Sequence, residues 1–160
     1  AKWGGMWIDS TALCTDEDFF RYASKQHLFV FKQLNLGNQG EAPIIASSWF
    51  ISSEIGNPIV VLTRNLLYAY WQDYDYLLNY FAFHLFFTMA CRRYENEWES
   101  IPAFNNSSPH MLMFELKRDY SSERWEQLMK MSGIHKLQRY DDYSDLKKSN
   151  YCKILDTYLQ

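Results

Sequence analysis

Two adjacent glycines, three apolar residues and an acid follow one another in Gly4-Gly5-Met6-Trp7-Ile8-Asp9, and Ser10 and Thr11 close the run. Glycine has no Cβ, so Gly4 and Gly5 accept tight turns and the close approach of another backbone or a ligand. The apolar trio reads as a short buried strand over 6–8, with Asp9 where that strand meets solvent. Alternate residues of an extended chain share a face, so Asp9 and Thr11 point the same way. Two oxygen-bearing side chains so placed suit a hard cation or a sugar hydroxyl.

Further along, Thr15 is positioned to cap a helix that runs to about residue 22, with acids in its first turn. Residues 28–31 and 44–52 read as strands, separated by a loop over 35–43 rich in Gly, Asn and Pro. Asn57-Pro58 opens a helix to about residue 71, since proline is well tolerated at the first helical position. A second helix is predicted from Asp73 or Asp75 to about residue 94. Residues 101–109 read as a loop, 111–117 as a short helix, and 121–132 as a helix stopped by Gly133. Residues 134–137 form a short strand, and the charged tail from Asp142 is helical over 150–159. The expected fold class is α/β, an α+β part-domain with several helices and few short strands, and the 160 residues suit a single domain.

A formal charge of −3 argues against nucleic acid as a main partner. Twelve tyrosines, eleven phenylalanines and six tryptophans supply either a bulky core or flat faces for sugar rings, and composition does not separate the two. Cys14, Cys91 and Cys152 are odd in number and form no Cys-x-x-Cys pair, which fits a reducing, cytoplasmic compartment and argues against a thiolate zinc site. No secretory signal pattern is present. The most apolar run, 77–90, contains Asn79 and His84 and falls short of the roughly 20 residues that span a bilayer. It reads as a buried helix, with peripheral contact at the inner face of the cell membrane left open.

The run Trp3-Gly4-Gly5-Met6-Trp7-Ile8-Asp9-Ser10-Thr11 resembles the Asp-x-Asp signature of sugar transferases. It is most similar to the bacterial capsular polysaccharide synthesis glycosyltransferases, a family related to the yeast-type mannosyltransferases. Thr11 stands where the second aspartate of Asp-x-Asp would be. The resemblance implies a GT-A-like fold of which this chain is the C-terminal portion, lacking an upstream nucleotide-binding half and therefore inactive alone. It also implies a nucleotide-sugar donor, a polysaccharide or glycolipid acceptor, and manganese or magnesium as cofactor. Donor binding is implied for Gly4, Gly5, Trp7, Asp9 and Thr11, and metal binding for Asp9.

Three later blocks extend the likeness. Ser47-Ser48-Trp49, followed by Asn57-Pro58, is similar to a strand, turn and helix opening beside the sugar pocket of related transferases. That implies donor contacts at Ser48, Trp49 and Asn57, although Asn57 equally reads as an ordinary helix cap. On the helix that follows, the resemblance puts the catalytic positions at Asn79, where relatives carry an acid, and His84, with Tyr80 at the donor. Tyr80 and His84 are four apart and share a helical face. The loop ending Ser108-Pro109-His110 implies His110 as a second metal ligand. Ile134-His135-Lys136-Leu137 is similar to a recurring family tail, and Lys136 there reads either as a phosphate contact or as an ordinary solvated charge.

Two other classes fit the composition. One is a carbohydrate-binding module that stacks aromatics on glycan. The other is an aromatic-rich helical interaction protein. A strand at 6–8 with one open side also predicts homodimers through that edge.

Overall fold

The computed structural model describes residues 2–32, 44–138 and 147–158. The element order is β1 (Gly5–Ile8), β2 (Ala12–Cys14), α1 (Glu17–Ser24), β3 (Leu28–Lys32), β4 (Ala46–Ser53), α2 (Pro58–Asp73), α3 (Ala82–Arg93), α4 (Glu95–Ser100), β5 (Phe104–Asn105), α5 (Ser107–Glu115), α6 (Ser122–Met131), β6 (Ile134–Lys136) and α7 (Asn150–Tyr158). The class is mixed α/β, as the sequence predicts. The residues gather into two units, Ala1–Ile8 with Arg21–Asn106 and Asp9–Phe20 with Ser107–Gln160.

The first unit is built on a sheet of order β1-β4-β3-β5. β4 pairs antiparallel with both β1 and β3, while β3 and β5 run parallel. Strand alternation divides β3 between two environments. Leu28 and Val30 join Ile59 of α2 and Phe87, Ala90 and Cys91 of α3 in one apolar cluster. Phe29 and Phe31 form ring contacts with each other, Trp49, Phe50 and Phe104.

The β3–β4 register slips between Val30 and Lys32. Val30 faces Ile51, whereas Lys32 faces Ala46, so β4 carries extra residues opposite Phe31. A bulge of this kind breaks strict alternation. Trp49 and Phe50, though adjacent, both contact Phe31, and the half-buried positions of β4 are Ser48 and Ile51, three apart.

Asn57 caps α2 as expected. Its Oδ1 accepts from the backbone N–H of Ile59 at 3.1 Å and of Val60 at 3.3 Å. Two expectations in this unit are corrected. Residues 6–8 do form a strand, but every residue of β1 is exposed, because β1 is the edge of its sheet. The second helix begins at Ala82 rather than at Asp73 or Asp75. The Tyr70 hydroxyl donates to the Tyr76 carbonyl at 2.7 Å and accepts from the Leu78 N–H at 3.0 Å. Asn79 Oδ1 accepts from the Phe81 N–H at 2.7 Å, turning the chain two residues on. These bonds take backbone groups that a continuous helix would need.

The second unit pairs β2 with β6, antiparallel, with Leu13 opposite His135. Leu112, Leu116, Trp125, Leu128 and Ile154, from α5 and its end, α6 and α7, form its apolar cluster. The buried Glu115 carboxylate receives Arg124 at 2.8 Å and Arg118 at 3.3 Å, the pairing that a buried charge requires.

Three local expectations change here. The α1 cap is Asp16, not Thr15, since Asp16 Oδ1 accepts from the Asp18 N–H at 2.9 Å. Residues 107–109 belong to α5, because Pro109 falls in a first turn, where its missing N–H costs nothing. Among the described glycines, positive φ belongs to Gly4, Gly5 and Gly56, and Gly133 does not have the positive φ of a left-handed helix C-terminus. Instead its carbonyl accepts from the Thr15 N–H at 3.0 Å and the Asp16 N–H at 3.1 Å, an approach close enough to leave no room for a side chain. The expected loop over 35–43 and the first residues of the tail, 142–146, lie outside the described residues. Residues 150–158 are helical as predicted.

Candidate functional site

In the first unit, Gly4, Gly5, Met6, Trp7, Ser48, Ile51, Ser53, Val60 and Phe83 line one cavity of about 600 Å³. Four of the nine residues implied for donor binding, Gly4, Gly5, Trp7 and Ser48, therefore meet in a single recess. The local sequence builds it. Gly4 has φ +68, and a Cβ there would sit 3.0 Å from both the Ile55 nitrogen and the Ser53 carbonyl oxygen. Only glycine lets the chain enter β1 this close to the end of β4. Trp7 lies opposite Ile51 in the register and is 63% exposed. The bulge in β4 brings Ser48 and Ile51 to the same recess. Polar groups are few among apolar walls, the usual make-up of a small-molecule site.

The other expected residues of this unit lie elsewhere. Trp49 is buried, stacks on Phe31 with ring centroids 4.9 Å apart, and donates from Nε1 to Asn106 Oδ1 at 3.0 Å. Asn57 is buried and fully used. Beyond its cap, its Nδ2 donates to Glu97 Oε1 at 3.0 Å. Asn79 spends its Oδ1 on the turn before α3. Tyr80 stands 84% exposed in the same turn. His84 lies on α3 between the rings of Phe81 and Phe83. Its Nδ1 is buried without a hydrogen-bond partner, and burial pushes its pKa down, so the ring is neutral at physiological pH.

Asp9 and Thr11 belong to the second unit, and there they meet a residue 127 positions from Asp9 in sequence. Lys136 Nζ donates to both Asp9 Oδ2 and the Thr11 hydroxyl oxygen, and that hydroxyl donates to Asp9 Oδ2 at 3.3 Å. The ammonium's hydrogen bond is the main reason that the Asp9 carboxyl lies below its ordinary range. Backbone pairing sets this geometry. Ala12 faces Lys136 in the β2–β6 register, and the Leu137 N–H donates to the Thr11 carbonyl at 2.8 Å.

A divalent ion needs several oxygen or nitrogen ligands with negative charge to spare. Among the described residues, the carboxylate at this cluster is that of Asp9, with an ammonium already on it. His110 lies on α5, and among the described residues no group of three or more His, Cys, Asp or Glu gathers to hold a metal. This donor set does not fit a manganese or magnesium ion. His135, beside Lys136 in β6, is fully buried with neither ring nitrogen hydrogen-bonded. Burial drives its pKa down to about 4, against a smaller upward pull from the Ser132 backbone.

Residues 1–155 match the family described as capsular polysaccharide synthesis protein. The chain belongs to that family. No curated protein and no solved structure matches it. Among the described residues of this capsular polysaccharide synthesis protein, no helix is long and apolar enough to cross a membrane. Ile51, Val60 and Phe83 line its cavity yet carry no sequence signal, being apolar residues at ordinary spacings. The contact of Lys136 with Asp9 was equally hidden. Both residues stand out locally, but only strand pairing shows that they meet.

Proposed function

We propose that this chain handles the donor in a glycosyltransferase that builds capsular or other surface polysaccharide in the cytoplasm. The intact protein takes a nucleotide sugar and passes the sugar to a glycan hydroxyl. The observation that supports this reading is the convergence of Gly4, Gly5, Trp7 and Ser48 on one recess of about 600 Å³. In this reading the glycines let a ligand approach backbone, the indole of Trp7 offers a flat face to a sugar ring, and Ser48 offers a hydroxyl.

Sugar transfer expels a diphosphate, and the charge that builds there must be met by fixed donors or a cation. In the second unit Asp9 and Thr11 hold the Lys136 ammonium, a fixed donor of the kind that such charge requires. In this reading the Asp9 carboxylate is already paired with the lysine. Asp9 is thus a positioning residue for the lysine.

Calorimetric titration with a panel of nucleoside diphosphates and their sugars tests the proposal. Binding is expected, and Trp7→Ala should weaken it about tenfold through the loss of one stacking face. Binding of free glycan without any nucleotide response would instead favour a carbohydrate-binding module, with Trp7 and Tyr80 as stacking faces.

A further inference from the structure

Among the described residues, no ionisable side chain lines the recess of about 600 Å³. Four elements each give it an apolar wall: Met6 from β1, Ile51 from β4, Val60 from α2 and Phe83 from α3. Ile51, Val60 and Phe83 also pack against the cluster that holds Leu28, Val30, Ile59 and Phe87. Close packing fixes such side chains, so they do not turn aside for water or a polar group.

Hydrogen-bonding side chains are scarce in this recess. Those present are the Ser48 and Ser53 hydroxyls and the Trp7 indole N–H. Ser53 already donates to the Glu54 carbonyl at 2.8 Å, which leaves its oxygen to accept. The Val60 N–H is spent on Asn57 Oδ1 at 3.3 Å. A ligand therefore meets two serine oxygens as side-chain acceptors, and no charge.

Such walls discriminate among sugars. A uronic acid brings a carboxylate, which would be buried here without a cation. A fully hydroxylated hexose brings more hydroxyl protons than two serine oxygens accept. A hydroxyl held against an apolar wall loses its water and gains no partner. A 6-deoxyhexose carries a methyl group in place of its outlying hydroxymethyl group. That methyl fits an aliphatic and aromatic wall, and the serines remain for ring hydroxyls.

We infer that this recess selects a 6-deoxyhexose, with the methyl group against Ile51, Val60 and Phe83. That the sugar arrives on a nucleotide rests on the transferase reading. The preference for the deoxy sugar does not.

The test is NMR titration of the full chain with three methyl glycosides: the 6-deoxyglucoside, the glucoside and the glucuronide. The deoxy sugar is expected to bind about tenfold more tightly than the glucoside, the scale on which an apolar pocket reads one small group. The glucuronide should bind more weakly still. The Trp7 indole signal, assigned by its loss in Trp7→Phe, should shift as the sugar binds. Val60→Thr adds a hydroxyl to the wall at nearly the same size, at a half-buried position. It should bring the affinities of the glucoside and the deoxy sugar together.

Glucoside or glucuronide binding as tight as that of the deoxy sugar would overturn the inference. So would a ratio that Val60→Thr leaves unchanged, or no binding of any of the three. The wild-type ratio decides the matter if Val60→Thr fails to fold. Nucleoside diphosphate binding without a preference among sugars would remove the inference and leave the transferase reading standing. A preference without any nucleotide response would do the reverse.

Discussion

A Cβ at Gly133 would lie 2.5 Å from the Cβ of Phe19 and 2.8 Å from that of Asp16. Both atoms are fixed close to backbone, so they cannot swing aside. Gly133→Ala should therefore cost about 1–3 kcal/mol, the range for overpacked sites, and thermal denaturation should show a clear fall in Tm. An unchanged Tm would mean that the turn after β2 yields freely. The Asp9–Lys136 pair makes a prediction about pH. Hydrogen bonding to Lys136 holds the Asp9 carboxyl below its ordinary 3.8. Stability from a lowered carboxyl is complete above the ordinary value and is lost as pH falls through the folded one. Asp9→Asn should therefore lower Tm at about pH 7 and have little effect near pH 2. The loss should be small, because the carboxylate is 41% exposed and screened by solvent. A gap that persists undiminished in acid would refute the pairing.

Elements were legible where a local signal decides them. Asn57-Pro58 marks the start of α2 because a cap and a preset φ act within one turn. β3 was legible as a run of four consecutive apolar residues, Leu28 to Phe31. The start of α3 was not legible, because it depends on a hydroxyl twelve residues upstream. Tyr70 on α2 bonds two backbone groups of the 74–81 connection, and nothing near Asp75 reports that. Tyr70→Phe should leave both helices folded and speed amide exchange at Leu78, at a stability cost of about 1 kcal/mol or less. Unaltered exchange there would show that Asn79 holds the turn by itself. The site divides in the same way. Gly4, Gly5 and Trp7 announce themselves as a motif, whereas Trp49 and Asn57 have residue types that suit a pocket and burial that serves the core. Whether an aromatic side chain faces a cavity or a neighbouring ring depends on the β4 bulge, which the sequence pattern does not reveal.

At the scale of the whole molecule, β1 leaves one flank without a strand neighbour among the described residues. Met6, Trp7 and Ile8 are all exposed on it. Apolar edges of this kind recruit other chains, so sedimentation velocity should detect concentration-dependent dimers that Ile8→Lys abolishes. A monomer at every concentration would remove the edge as a self-association surface. The slipped register of β4 has a further consequence. Were the strand to alternate regularly, Ser48 would point away from Ile51, toward the phenylalanine rings. The recess therefore owes its shape to a miscount in pairing more than to the side chains around it. Deleting one residue between Ser48 and Ile51 would leave them two apart, the spacing at which a regular strand keeps both side chains on one face, so the serine should stay in the recess while the bulge is lost. Register along this strand therefore shapes the pocket as much as residue identity does.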